Sequence, residues 1–92
     1  MRTRDLIEKF VNGKSGLFAS NMYSKGDKLF NWETVIAQFI DNILFINTTH
    51  YSVTTTKHQN ELLRLAERNN MHYYTVDGIS MGTDDLSYLY HG

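Results

Sequence analysis

Two apolar runs lie in the middle of the chain, Val35-Ile36-Ala37-Gln38-Phe39-Ile40 and Ile43-Leu44-Phe45-Ile46-Asn47. Between them stand Asp41 and Asn42, residue types that tolerate a positive φ and suit a tight primed turn. The pattern predicts a β-hairpin in which Ile40 faces Ile43 and Phe39 faces Leu44. Val35, Ala37, Phe39, Leu44 and Ile46 then share one face, and Ile36, Ile40, Ile43 and Phe45 share the other. Both faces are apolar, whereas a half-exposed antiparallel sheet alternates apolar with polar. The second face therefore needs a cover: a helix, the C-terminal segment or another chain, which makes a homodimer one expectation.

Helical spacing appears twice. Leu6, Ile7, Phe10 and Val11 form one stripe, with Thr3 as a cap, Asp5 in the first turn and Asn12-Gly13 as a stop. These signals predict a short helix over about 3–12. Thr56 with Gln59 fits a capping box and opens a longer helix to about Arg68. Leu62, Leu65 and Ala66 face inward there, and Lys57, Glu61, Arg64 and Arg68 form its outer stripe.

The remaining strand signals are weaker. Leu17 to Tyr23 and Lys28 to Trp32 read as a hairpin around Ser24-Lys25-Gly26-Asp27, with Phe30 and Trp32 on one face. Met71 to Val76 reads as a closing strand before an Asp77-Gly78 turn. The tail from about Ile79 carries a cap-like Thr83-Asp84-Asp85 and the apolar Leu86, Leu89 and Tyr90. It reads either as a short docking helix or as an end that folds on binding. The sum is one α+β domain over residues 1–92: an antiparallel sheet of three to five strands, packed by the helix near 56–68 and the short helix near 3–12.

Composition narrows the chemistry. In 92 residues there is no cysteine, so neither disulfides nor thiolate metal sites can form, and no proline. No long apolar run follows the N-terminus, so the expectation is a cytoplasmic protein without a membrane segment. Net charge is −1, yet residues 1–28 carry +3 and residues 71–92 carry −3. The bland reading is solvated surface, and the sharper one is that each end meets a different partner.

Among candidate sites, the approach to the long helix is the richest. Thr48, Thr49, Ser52, Thr54, Thr55 and Thr56 precede or open it, with Lys57 and His58 in its first turn. Hydroxyls, free backbone N–H groups and an ammonium suit a phosphate or carboxylate. The same threonines also serve as caps and as the lining of a strand edge. His50, His58, His72 and His91 form no short metal-ligand pair, so they read as structural or surface residues. Glu33, Asp41, Glu61, Glu67 and Asp77 lie apart, and no nucleophile elbow or glycine-rich phosphate loop occurs. The expectation is a non-enzymatic protein without a cofactor. Trp32, Tyr51 and Tyr74 are the aromatics expected to be partly exposed.

Ser20-Asn21, Gly26-Asp27, Leu29-Phe30-Asn31-Trp32 and Thr34-Val35-Ile36-Ala37 look like the first part of a recurring pattern. Asn47-Thr48-Thr49-His50-Tyr51-Ser52-Val53-Thr54-Thr55-Thr56-Lys57-His58-Gln59-Asn60 looks like its second. The whole resembles a group of small uncharacterised proteins encoded by bacteriophages, plasmids and related elements, over roughly residues 16–65. The resemblance implies genomic context and no mechanism. By analogy with small phage proteins, the expected partner is a host protein or nucleoprotein complex, with CRISPR or restriction defence systems as the target. In that reading the tail residues Asp77, Asp84, Asp85, Leu86, Tyr88 and Tyr90 meet the partner. Two alternatives stand beside it. One is nucleic-acid binding by Lys57, Arg64 and Arg68 on the main helix. The other is capture of a small anion by Thr54, Thr55, Thr56, Lys57 and His58.

Overall fold

The computed structural model describes residues 1–90. Helix α1 spans Thr3–Val11 and is followed by five strands: β1 Phe18–Ala19, β2 Met22–Lys25, β3 Lys28–Asn31, β4 Thr34–Ile40 and β5 Ile43–Asn47. Helix α2 then runs Val53–Arg68, β6 spans Tyr73–Val76, and a 3-10 turn at Ser87–Leu89 lies near the end. The sheet order follows the chain from β1 to β6. Neighbours are antiparallel except β5 and β6, which run parallel because α2 carries the chain back between them.

The central hairpin forms as its sequence predicts. Ile40 pairs with Ile43 and Phe39 with Leu44, and Asp41 and Asn42 adopt φ of 51° and 63°. The alternation expected on β4 is broken by a bulge. Leu29 pairs with Ala37 and Phe30 with Val35, which leaves Ile36 as the extra residue. Ile36 and Ala37 therefore both face the helices, while Val35 faces the opposite side. The predicted faces of Val35 and Ile36 are thus exchanged.

Both faces of the sheet are covered. On one, α1 and α2 pack against each other and against Met22, Leu29, Ile36, Leu44 and Ile46. The other face carries Phe30, Val35 and Phe45, which are closed over by Ile79 and Leu86 of the chain's own tail. Of the covers the sequence allowed, the C-terminal segment takes this place, and Leu86 is wholly buried. The tail docks without forming an α-helix. Asp85 bonds the backbone and hydroxyl of Ser87, which tightens the segment into the 3-10 turn instead.

Other expectations shift. The sheet has six strands where three to five were expected, because Leu17–Tyr23 is two strands broken at Ser20, whose φ is 58°. Trp32 leaves β3 and enters the turn, so it does not share a strand face with Phe30. Thr3 does not cap α1; Arg2 occupies that position and makes no side-chain cap bond. Helix α2 starts three residues before Thr56, because the Ser52 side chain accepts from Thr55 N and caps the helix there. Gln59 turns inward and donates to the carbonyls of Asn47 and Thr49, binding the helix to the end of β5. Among the described residues no helix is long and apolar enough to cross a membrane.

Candidate partner-binding site

The turn between β3 and β4 contains only Trp32 and Glu33, since Asn31 pairs with Thr34. Such a turn needs a positive φ at its first central residue, a place glycine normally fills. Here tryptophan fills it, with φ 57°, and its N–H donates to Asn21 O at 2.7 Å. A left-handed backbone at a bulky residue costs energy and is uncommon. The side chain gains no burial in return, because Trp32 is 66% exposed.

Two neighbouring elements are held against this turn. The amide of Asn31 donates to Thr55 Oγ1 at 2.8 Å, and Ser52 Oγ donates to the same oxygen at 3.0 Å, which joins β3 to the start of α2. From the other side the tail crosses β4: Gly82 N donates to Thr34 Oγ1 at 2.9 Å and Val35 N to Thr83 O at 2.8 Å. Tyr51 donates to Ile79 O at 2.7 Å and fixes the tail where it leaves β6.

These contacts frame a cleft of about 230 Å³ lined by Asn31, Trp32, Thr34, Ile36, Tyr51, Ser52, Thr55 and Met81. A second hollow shares Asn31, Trp32, Ser52 and Thr55, and is bordered by Ser20, Asn21, Thr54 and His58. Met81 is 75% exposed, and Val53, next in the chain to Ser52, is also exposed. No charged side chain lines the first cleft. Among the described residues, buried side-chain polar atoms all have partners, so the walls hold no unpaired donor that demands a polar ligand. An apolar or aromatic group fits this chemistry best.

The other sequence-predicted residues do not converge into one site. Thr55 is buried and committed to Asn31 and Ser52. Thr56 Oγ1 donates to Ser52 O and lies 3.1 Å from His50 Nδ1, while Thr54 and Lys57 are exposed. Burial lowers the pKa of His58, which favours its neutral form. Arg64 is bonded to Glu61, which also faces Arg4 at 3.5 Å. The Arg64 hydrogen bond is the main cause of the lowered Glu61 pKa. Arg68 is exposed at the far end of α2.

The tail set divides. Leu86 is core, Tyr90 packs edge-on against Phe45, and Asp85 is tied to Gln38, Ser87 and Lys28. Asp77, Asp84 and Tyr88 are exposed. Among the described residues no group of three or more His, Asp or Glu could hold a metal ion, and His91 lies outside them. Trp32 and Tyr74 are exposed and Tyr51 is half-buried, as their sequence context predicts. Met81, Thr34 and Ile36 were invisible as site residues. Met81 reaches the cleft only through the tail's return across β4, and no local pattern encodes that path.

No curated protein and no solved structure matches the chain. A family model matches residues 7–78, which takes in the second half of α1, every strand and α2. The chain belongs to that family, a family of unknown function, DUF8033.

Proposed function

We propose that this protein is a non-enzymatic accessory protein of a phage or mobile element. It binds a host macromolecular complex, a bacterial defence assembly such as a CRISPR or restriction complex, by seating an apolar side chain of a protein partner between Trp32 and Met81. The observation that carries this reading is Trp32, a large aromatic held exposed on a costly backbone beside a cleft. Exposed aromatics beside well-formed pockets are the usual anchors of protein interfaces. Residues from separate stretches of the sequence pattern, Ser20-Asn21, Asn31-Trp32 and Tyr51-Ser52, border the cleft and its neighbouring hollow.

The tail takes a different part from the one its charge implied. Asp85, Leu86 and Tyr90 hold the tail to the sheet, and the tail in turn presents Met81. The nucleic-acid reading is weaker, because Glu61 offsets Arg64 and Arg4. The anion reading is weaker too, because Thr55 and Thr56 already have intramolecular partners.

The test is a tagged pull-down from host lysate, halved and nuclease-treated in one half, with Trp32→Gly run in parallel. A host complex retained after nuclease and lost with Trp32→Gly supports the proposal. Partners that vanish with nuclease, or that bind Trp32→Gly equally well, overturn it.

A further inference from the structure

The sheet treats its two edges differently. At one edge, β1 is only two residues long and offers little to pair with. At the other, β6 runs Tyr73–Val76 with no charge, no proline and no bulge on it. These are the devices that normally protect an edge strand. The carbonyls of His72 and Val76 accept from Leu44 N and Thr48 N, so this alternate set of backbone groups points at β5. Strand alternation then turns the amides and carbonyls of Tyr73 and Thr75 outward.

We propose that the β6 edge pairs antiparallel with β6 of a second copy of this chain. Two-fold symmetry requires one residue to face itself. With Tyr73 and Thr75 as the outward pair, each copy's Tyr73 exchanges hydrogen bonds with the other's Thr75. Tyr74 then sits on the axis at a non-hydrogen-bonded position. Tyr74 is 48% exposed and already packs on Phe45, so the pairing adds an aromatic contact to an existing one. Charge does not oppose a second copy: the strand itself is neutral, and the antiparallel register keeps the two Asp77 residues at opposite ends of the paired strands. The tail already covers the second sheet face, which leaves this edge as the place for self-association.

The absence of cysteine makes a direct test possible. In Tyr74→Cys the paired Cα atoms stand about 4.5 Å apart, within disulfide reach. Under mild oxidation this variant forms a covalent dimer much faster than Tyr88→Cys, a control at another exposed tyrosine. Light scattering on the unmodified chain gives twice the 10.7 kDa chain mass, and Thr75→Pro, which removes an outward N–H, returns it to a single chain. Circular dichroism checks that Thr75→Pro is folded, and the cysteine pair decides the matter if it is not. A single-chain mass at every concentration, equal cross-linking of the two cysteine variants, or a dimer that survives in folded Thr75→Pro would each overturn the proposal.

Discussion

Gln38 holds the tail with both atoms of its side-chain amide: Nε2 donates to Asp85 Oδ1 at 2.8 Å, and Oε1 accepts from Leu86 N at 2.7 Å. Gln38 is one of two polar residues on β4, with Thr34, and it is buried. Its bonds place Leu86 against Phe30, Val35 and Phe45 on the second sheet face, and they anchor the segment that carries Met81.

Replacing Gln38 with alanine strands Leu86 N in a buried setting. The expected loss is about 1–3 kcal/mol, the usual cost of an unpaired buried group. Urea unfolding measures it, and amide exchange in residues 79–90 rises more than in α2. Unchanged stability and unchanged exchange would mean that the tail is held by its apolar contacts alone.

Asp85 gives that anchor an acid limit. Hydrogen bonds from Ser87 and Gln38, aided by Lys28, lower its carboxyl from 3.8 to about 2. A depressed carboxylate pKa contributes stability above the unfolded value and loses it as pH falls through the folded one. The contribution is therefore complete above about pH 4 and disappears towards pH 2. The side chain is 46% exposed, so solvent screening keeps the effect small. Across that window Asp85→Asn shows a flatter decline in thermal midpoint than the parent chain. A parallel decline in both would assign the acid response to other carboxylates.

Asn47 joins more parts of the molecule. Its Nδ2 donates to Val35 O and to the Tyr51 hydroxyl, and its Oδ1 accepts from Thr49 N. Its own carbonyl accepts from Gln59, which brings α2 to the same point. The residue is fully buried. Asn47→Ala leaves Val35 O and Thr49 N without these partners and is expected to cost about 3 kcal/mol. Chemical denaturation checks this value, and a loss below about 1 kcal/mol would show that the network is redundant.

Trp32 separates stability from binding. Glycine accepts its φ of 57° without the steric cost that a side chain bears. Trp32→Gly is expected to leave the thermal midpoint unchanged or raise it, by up to about 1 kcal/mol in stability, while partner binding is lost. A substantial fall in the midpoint would make Trp32 a packing residue rather than a presented one.

Much of the fold was legible where local chemistry decides structure. Asp41-Asn42 marked the central turn, and the stripe from Leu6 to Val11 marked α1. The misses lie where a distant contact decides. The bulge at Ile36 exchanged two residues between faces, and periodicity carries no sign of an inserted residue. Thr56 with Gln59 satisfied a capping pattern, but Gln59 is drawn inward by Asn47 and Thr49, and Ser52 caps instead. Whether Asp85 and Leu86 dock or fold only on binding stayed open in the sequence, because their partner, Gln38, lies 47 and 48 positions away. The cleft was half legible: Ser52 and Thr55 of the threonine-rich approach to α2 line it, but its exposed large apolar residues, Trp32 and Met81, come from elsewhere in the chain.

The central claim is that a partner covers Trp32. The chain has a single tryptophan, so fluorotryptophan incorporation gives one fluorine NMR signal reporting on that position alone. The measurement is a titration of the labelled protein with the host complex recovered by pull-down. The account predicts that the signal shifts or broadens in proportion to binding and becomes shielded from a solvent paramagnetic agent. A signal that stays in place and solvent-accessible while the complex demonstrably binds would contradict it.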